Sequence, residues 1–164
     1  MAQAHYKNGD YVVYPTHGVG QVKGIEKQQV AGTSVDLIVI HFTHDRMVLR
    51  LPMHRLESSG LRPVCTEDKM NLALKKLKGR SRVKKTMWSR RAQEYEMKIN
   101  SGDPAAIAEV VRDLYKNSQQ PDQSYSERQI YRTALDRLAR ELAAVENIDE
   151  DSAAMKLEEM MNAA

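Results

Sequence analysis

Apolar and polar positions in the N-terminal third of the chain follow the two-residue period of β-strands. Four short runs rich in β-branched and apolar residues lie at 10–15, 18–26, 35–42 and 46–52. In the last run, inward-facing Met47, Leu49 and Leu51 would place Arg46 and Arg50 on the outer face. Glycines in the second run indicate bends or bulges. Close turn signals without an intervening helix favour a small curled sheet of the SH3-like type.

From about residue 66 the apolar residues recur with the period of α-helices. Helices are predicted at 67–78, 87–99, 104–116, 124–145 and after residue 149. Thr66, Ser124 and Asp149 are the expected N-caps, and Asp103-Pro104 is a helix-start signature. The sequence therefore predicts an α+β protein. A β domain would occupy residues 1–62, and an all-α domain of about five helices would occupy residues 63–164.

Charge is sorted along the chain rather than spread over it. Residues 75–98 carry ten Lys and Arg against two acids, a net +8, while the whole chain is +3 and the remainder is therefore −5. This segment holds the only tryptophan, Trp88, at a predicted helix start. The cations nearest to Trp88 are Arg82, Lys84, Lys85, Arg90 and Arg91. A cationic segment gains affinity for a polyanion by releasing counterions, and a flat ring can stack on a base or wedge between base pairs. The segment is a candidate DNA-binding site.

The same pattern allows three other interpretations. A charge run is usually a solvated face, and a single tryptophan is usually a partly buried anchor for its helix. A separate alternative is a protein-only adaptor, whose tryptophan is a core residue and whose basic run binds an acidic partner. A sequence-specific repressor with a helix in the major groove is the third interpretation.

Catalytic and metal-binding motifs are not evident in the sequence. His41 and His44 would fall on opposite faces of a strand, without cysteines or carboxylates to complete a metal site. The single cysteine, Cys65, excludes an internal disulfide and fits a reducing compartment. No apolar run is long enough to span a bilayer, and the N-terminus lacks a signal core. We therefore expect a cytoplasmic protein without enzymatic activity, cofactor or metal.

Four motifs together carry a family resemblance. They are Gly-Asp-Tyr-Val-Val-Tyr-Pro-Thr-His-Gly-Val-Gly at 9–20, Leu-Arg-Leu-Pro at 49–52, Trp-Ser-Arg-Arg at 88–91 and Val-Val-Arg-Asp-Leu-Tyr at 110–115. Over nearly the whole chain the sequence resembles the bacterial CarD/CdnL family of RNA polymerase-binding transcription regulators. The first motif also resembles the polymerase-interacting module of the transcription-repair coupling factor, so the Trp-Ser-Arg-Arg motif is the more selective one. Helicase motifs and a high-mobility-group-like tail are missing, which favours the short CdnL type.

The resemblance implies that the N-terminal domain is Tudor-like and binds the lobe of the polymerase β subunit. Arg50 matches the family's polymerase-contacting arginine. A second contacting arginine of the family is replaced near Gln28, where Lys27 is the expected substitute. Arg46, on the predicted outer face beside Arg50, is included in the expected polymerase-binding surface.

For the helical domain, the resemblance implies a position against promoter DNA at the upstream edge of the melted bubble. Trp88 would wedge into the minor groove there and hinder reannealing, and Arg90 and Arg91 would help to hold the DNA backbone. The expected outcome is a longer-lived open complex, through DNA contacts that tolerate different sequences. We expect a monomer that is associated with the nucleoid through RNA polymerase.

Overall fold

The computed structural model describes residues 6–42, 44–81, 86–118 and 124–163, except the side chains of residues 116–118. The chain divides into two compact units, Met1–Val64 and Cys65–Ala164. The predicted boundary after residue 62 lies two residues before this division. The first unit is a β domain and the second is helical, so the predicted α+β class with a Tudor-like N-terminal domain is confirmed.

The N-terminal unit is a five-stranded antiparallel sheet. Its strands are β1 (Tyr11–Tyr14), β2 (Gly18–Val30), β3 (Thr33–Phe42), β4 (Met47–Pro52) and β5 (Arg62–Pro63). They lie in the order β4-β3-β2-β1-β5, so β4 and β5 form the two edges. A 3-10 turn at Met53–Arg55 and a one-turn helix α1 (Leu56–Ser59) lead from β4 towards β5. The β3 strand is an interior strand as expected, although β2 occupies the middle position.

Backbone geometry in this sheet explains several of its turn residues. Ala31 and Gly32 have φ of 51° and 81° and connect β2 to β3, as a tight hairpin turn requires. The ladder shifts register between Val22 and Gly24, where Gly24 has φ of 140°, so the predicted bulge lies at this glycine. Arg46 was expected on β4, but it lies in the preceding turn with φ of 49° because the strand begins only at Met47.

The interior of the sheet leaves no space for a side chain at Gly20. A β-carbon there would lie 2.7 Å from Ile40 Cγ2 and 2.8 Å from Phe42 Cε1, and both of these side chains are buried. We therefore expect Gly20→Ala to lower the free energy of unfolding by about 1–3 kcal/mol, the usual cost of overpacking a core. Chemical denaturation of the full chain measures this, and an unchanged midpoint would contradict the packing described.

Five helices of eleven residues or more make up the described part of the second unit. They are α2 (Glu67–Leu77), α3 (Trp88–Asn100), α4 (Pro104–Ser118), α5 (Tyr125–Glu146) and α6 (Glu150–Asn162). The expected caps are present: the side-chain oxygens of Thr66, Ser124 and Asp149 each accept a hydrogen bond from a backbone N–H three residues later. That bond, from Ser152, lowers the pKa of Asp149.

Helix α4 lies at the centre of the helical unit and packs against α2, α3 and α5. Its apolar stripe, Ile107, Val110, Val111 and Leu114, is almost completely buried. The stripe belongs to a single hydrophobic cluster to which all five helices contribute. The start of α3 is thus anchored through its helix to a continuous core. No helix in the described ranges is long and apolar enough to cross a membrane.

Candidate DNA-binding and partner-binding surfaces

The N-terminus of α3 opens onto solvent beside Trp88. Met87 is the N-cap residue, and no described side chain caps the helix there; the first turn also contains no acid. Thr86, Met87, Ser89 and Arg90 are all exposed, Met87 by 78%. Backbone N–H groups at such a helix start attract anions. The arrangement can therefore receive a phosphate close to the tryptophan.

Trp88 is neither fully exposed to solvent nor fully buried. The residue is partly buried and packs against the helical core, while its neighbours 87 and 89 are exposed. Its ring centroid lies 6.2 Å from that of Tyr95, with the planes inclined by 50°. Trp88 thus lies at the boundary between core and solvent, where the residue packs against the core without being completely buried.

The two arginines after Trp88 have different surroundings. Arg90 is exposed. Arg91 instead places its guanidinium carbon 5.3 Å from the Trp88 ring centroid and 5.9 Å from the Tyr95 ring centroid. Both distances are within the range of cation–π contacts. From the sequence alone the two arginines have the same predicted role and Tyr95 is not singled out, although the spacing of residues 88, 91 and 95 places them on one helical face.

The remaining predicted DNA-binding cations are not described by the structure. Arg82, Lys84 and Lys85 lie outside the described residues, so their assignment stays a prediction from the sequence. Arg80 and Ser81 precede this gap, and the Ser81 hydroxyl donates a hydrogen bond to the Asp113 carbonyl oxygen of α4. This bond fixes the chain to α4 just before the gap.

Part of the positive charge counted along the sequence is neutralised within the helical unit. Glu109 of α4 accepts hydrogen bonds from Lys76 of α2 at 3.2 Å and from Lys98 of α3 at 3.1 Å. Arg112 donates to Asp113 at 2.9 Å. These groups line a groove of about 760 Å³ between the three helices. The local charge of the segment therefore overstates the number of cations available to DNA, because sequence spacing does not reveal partners on another helix.

Glu109 joins three helices, and its ionisation should contribute to stability. Partial burial opposes ionisation, but the two lysine hydrogen bonds hold its pKa below the usual 4.5. The contribution is therefore complete above pH 4.5 and is lost as the pH falls through the lowered pKa. We expect Glu109→Gln to lower the free energy of unfolding at pH 7 by about 0.3–1 kcal/mol, because these pairs are partly solvated.

Denaturation of the wild type and Glu109→Gln at several pH values measures this contribution. The difference between the two proteins should shrink as the solution is acidified below pH 4.5. A difference that is the same at neutral and acidic pH would show that the carboxylate does not act through its charge.

Edge strand β4 carries the predicted polymerase-binding arginine. Leu49 and Leu51 face the core side, while Val48 and Arg50 are exposed. The strand pairs with β3 on one side, and its other side carries no strand within the described ranges. Arg50 Nε lies 3.1 Å from Oε2 of Glu26, and both side chains are about half exposed.

The other predicted partner-binding cations lie near this strand or on the neighbouring hairpin. Arg46 is exposed in the turn before β4. Lys27 is exposed on β2, where its Cα is in register with that of Asp36 on β3. The sequence does not reveal Glu26 as the partner of Arg50, because these residues are 24 positions apart and their contact depends on the register of the strands.

The sequence assigns no functional site to His41, His44 or Cys65, and their surroundings in the structure agree with this. His41 is exposed on β3 and His44 lies in a turn. No group of three or more potential metal-ligating side chains occurs among the described residues. Cys65 is partly buried against the helical core, and its backbone N–H donates to Glu141 at 2.9 Å.

Comparison with known proteins agrees with the two-unit architecture. Residues 6–65 match the family model described as CarD-like/TRCF RID domain, and residues 72–158 match the one described as CarD, C-terminal domain. A relative in Bacillus subtilis (strain 168), named "Putative transcription factor YdeB", is 27% identical over 145 residues, which cover 88% of this chain and 95% of the relative.

These matches define the class of protein as a transcription regulator. Domains of the CarD-like/TRCF RID family interact with RNA polymerase. The chain belongs to the CarD family, as the motifs at residues 9–20, 49–52, 88–91 and 110–115 indicated.

Proposed function

We propose that this protein binds the β subunit of RNA polymerase through its β domain and stabilises the promoter open complex through its helical domain. Trp88 would enter the minor groove at the upstream edge of the bubble. Exposed Arg90 would hold the adjacent backbone, together with Arg82, Lys84 and Lys85. The DNA contact would tolerate different base sequences, since it uses the shape of the junction and the phosphates.

The observation that carries the DNA-binding half of this proposal is the position of Trp88. The residue is partly exposed at a helix start that no side chain in the described ranges caps, beside an exposed arginine and without an acid in the first turn. A phosphate and a base are neighbours in DNA, so this surface can contact both at once. Its support by the core favours a ring that keeps its orientation when it meets the junction.

The open edge of β4 supports the polymerase-binding half. An unpaired strand edge presents alternate N–H and C=O groups to which a partner strand can add. Arg50 lies on the exposed side of this edge strand, with Arg46 just before it. Glu26 holds the Arg50 side chain across the sheet, which orients the guanidinium before a partner arrives. Lys27 would contribute a further positive charge from β2.

The mechanism would be an equilibrium bias without catalysis. Unstacking a base step costs a few kcal/mol, and a ring that fits only the distorted junction shifts the balance from closed to open complexes. Binding to polymerase raises the local concentration of a DNA contact that is weak by itself. The protein would act as a monomer at the nucleoid, in the cytoplasm.

Promoter-melting kinetics with purified RNA polymerase tests this function. A fluorescent base in the melted region reports the open complex, and competitor added afterwards reveals its lifetime. We expect the protein to slow the collapse of the bubble on unrelated promoters. Equal collapse rates with and without saturating protein would contradict the proposal.

A protein-only adaptor is the second candidate, favoured by the packing of Trp88 against the helical core. In that case the ring would be structural and the basic surface would bind an acidic protein. Because Trp88 is the only tryptophan, its emission in the free protein reports on this ring alone. A change of emission on adding forked DNA supports the open-complex function, whereas emission that ignores saturating forked DNA supports the adaptor.

A further inference from the structure

The side chain of Arg91 lies against two aromatic rings rather than pointing to solvent. Its guanidinium carbon is 5.3 Å from the centroid of Trp88 and 5.9 Å from that of Tyr95. The two rings are themselves 6.2 Å apart. Spacings of three and seven residues bring all three side chains to the same face of α3. The guanidinium therefore contacts both rings at once.

Two of the three guanidinium nitrogens of Arg91 are buried beside these rings. Nε and Nη2 of Arg91 are buried and donate no hydrogen bond to any group in the described part of the chain. Buried N–H groups without an oxygen acceptor are costly, but the π-face of an aromatic ring is a weak acceptor and attracts a cation. The ring pair is accordingly the environment that the structure provides for this charge. Nε and Nη2 also form one of the two guanidinium edges that a bidentate phosphate contact can use, and Nη2 belongs to both edges.

We propose that Arg91 is a positioning residue, whose guanidinium holds the Trp88 indole against Tyr95 in the orientation that meets DNA. Arg90, which is exposed and precedes it, is the arginine of the pair that contacts phosphate. This assignment refines the proposed function and rests on it for the DNA step only. Arg90 and Arg91 are adjacent and have the same role in the prediction from sequence, but here their roles differ.

The planar shape of arginine is part of this assignment. A guanidinium stacks flat on an aromatic ring, whereas the ammonium of lysine is a compact and strongly hydrated charge. Tyr95 is buried and fixed within the core, so it provides an immobile support. With Arg91 in place the indole has a cation on one side and a tyrosine nearby. Without it, the indole would retain its covalent attachment but lose a neighbour that restricts its rotation.

The test begins with the free full-length protein and the variant Arg91→Met, with Arg90→Met as the matched control. Both variants lose one positive charge and retain an unbranched apolar stem. The near-ultraviolet circular dichroism of the tryptophan band and collisional quenching by acrylamide report the order and exposure of Trp88. We expect Arg91→Met to lose most of that band and to raise the quenching constant about twofold, because the ring is released. Arg90→Met should match the wild type.

The second measurement is the salt dependence of binding to forked DNA. Loss of one phosphate contact lowers the slope of log affinity against log salt by about 0.7–0.9, depending on the strandedness of the contact. We expect that decrease for Arg90→Met. Arg91→Met should keep the wild-type slope and bind about three- to tenfold more weakly, because its ring is less well oriented.

Two results would overturn the assignment. One is a wild-type tryptophan band and quenching constant in Arg91→Met, and the other is a salt slope reduced in Arg91→Met as it is in Arg90→Met. If Arg91→Met does not fold, as judged by far-ultraviolet dichroism and thermal unfolding, Arg91→Gln, which also loses the charge, is held to the same criteria. The measurements on the free protein involve no DNA. Failure of the proposed function, seen as an unchanged open-complex lifetime with Trp88→Ala, is therefore distinguishable from failure of the Arg91 assignment.

Discussion

Trp88→Ala is expected to shorten the lifetime of the promoter open complex by about fivefold or more while polymerase binding is retained. Stacking of an aromatic side chain on a base contributes about 1–3 kcal/mol, and each 1.4 kcal/mol corresponds to a factor of ten. The polymerase-binding surface proposed on β4 belongs to the other structural unit. The measurement is the decay of preformed open complexes after competitor is added, with the variant at saturating concentration.

Two further variants separate the role of the ring from its contribution to stability. Trp88 packs against the helical core, so its removal also costs folding free energy, and thermal unfolding must confirm that the variant is folded at the assay temperature. Trp88→Phe keeps a smaller ring and should retain part of the effect. Tyr125→Ala removes an aromatic side chain that is 71% exposed at the start of α5 and should leave the lifetime unchanged. A wild-type lifetime for Trp88→Ala would contradict the proposed mechanism.

Arg50→Glu is expected to abolish recruitment to RNA polymerase and to leave the affinity for isolated DNA unchanged. Removing one member of a buried, hydrogen-bonded charge pair at an interface typically costs about 2–5 kcal/mol, which corresponds to about 30-fold or more in affinity, and a charge reversal adds repulsion to that loss. The new carboxylate would also lie beside Glu26, which now pairs with Arg50. Binding of the labelled protein to purified polymerase, and separately to duplex DNA, measures both affinities.

The structure supplies two matched controls for this charge reversal. Lys7→Glu makes the same substitution type at an exposed position before β1, away from the β4 edge in the order of strands. It should bind polymerase normally. Glu26→Gln removes the charge beside Arg50 but keeps an amide oxygen that can accept from its guanidinium, so this variant should retain binding. Normal recruitment by Arg50→Glu would show that the partner docks elsewhere.

Local signals along the sequence were sufficient for the helical unit. Thr66, Ser124 and Asp149 cap their helices as expected, and the stripe of α4 is buried as its period indicated. Caps and helical periods depend on residues within a few positions of each other, so the sequence contains the information needed. Helix ends differed by one or two residues, since the last turn depends on its surroundings.

In the β unit, the strand ends and the contacts between strands were harder to predict from the sequence. Four of the five strands were placed and β5 was not, and Arg46 was assigned to a strand that begins one residue later, where the preceding turn has a positive φ. The pairing of Arg50 with Glu26 follows from the register of three strands. A one-residue change of register reverses the face of every side chain, so such contacts require the assembled sheet.

In the candidate DNA-binding site, too, local features could be predicted from the sequence, whereas contacts between helices could not. Trp88 and the cations around it were visible as a local concentration of charge and one aromatic residue. Glu109, which accepts hydrogen bonds from both Lys76 and Lys98, comes from a helix that their positions in the sequence do not connect to them. Tyr95 could have been included from its seven-residue spacing to Trp88, but its proximity to Arg91 required side-chain positions.

Site-specific photocrosslinking tests the central claim most directly, because it asks what residue 88 touches in the working complex. A photoreactive benzophenone amino acid replaces Trp88, and the same amino acid at Tyr125 provides the control. With polymerase and promoter DNA under open-complex conditions, we expect residue 88 to crosslink to bases at the upstream edge of the bubble, dependent on polymerase. Crosslinks from residue 88 only to protein, in a variant that still binds polymerase, would contradict the account.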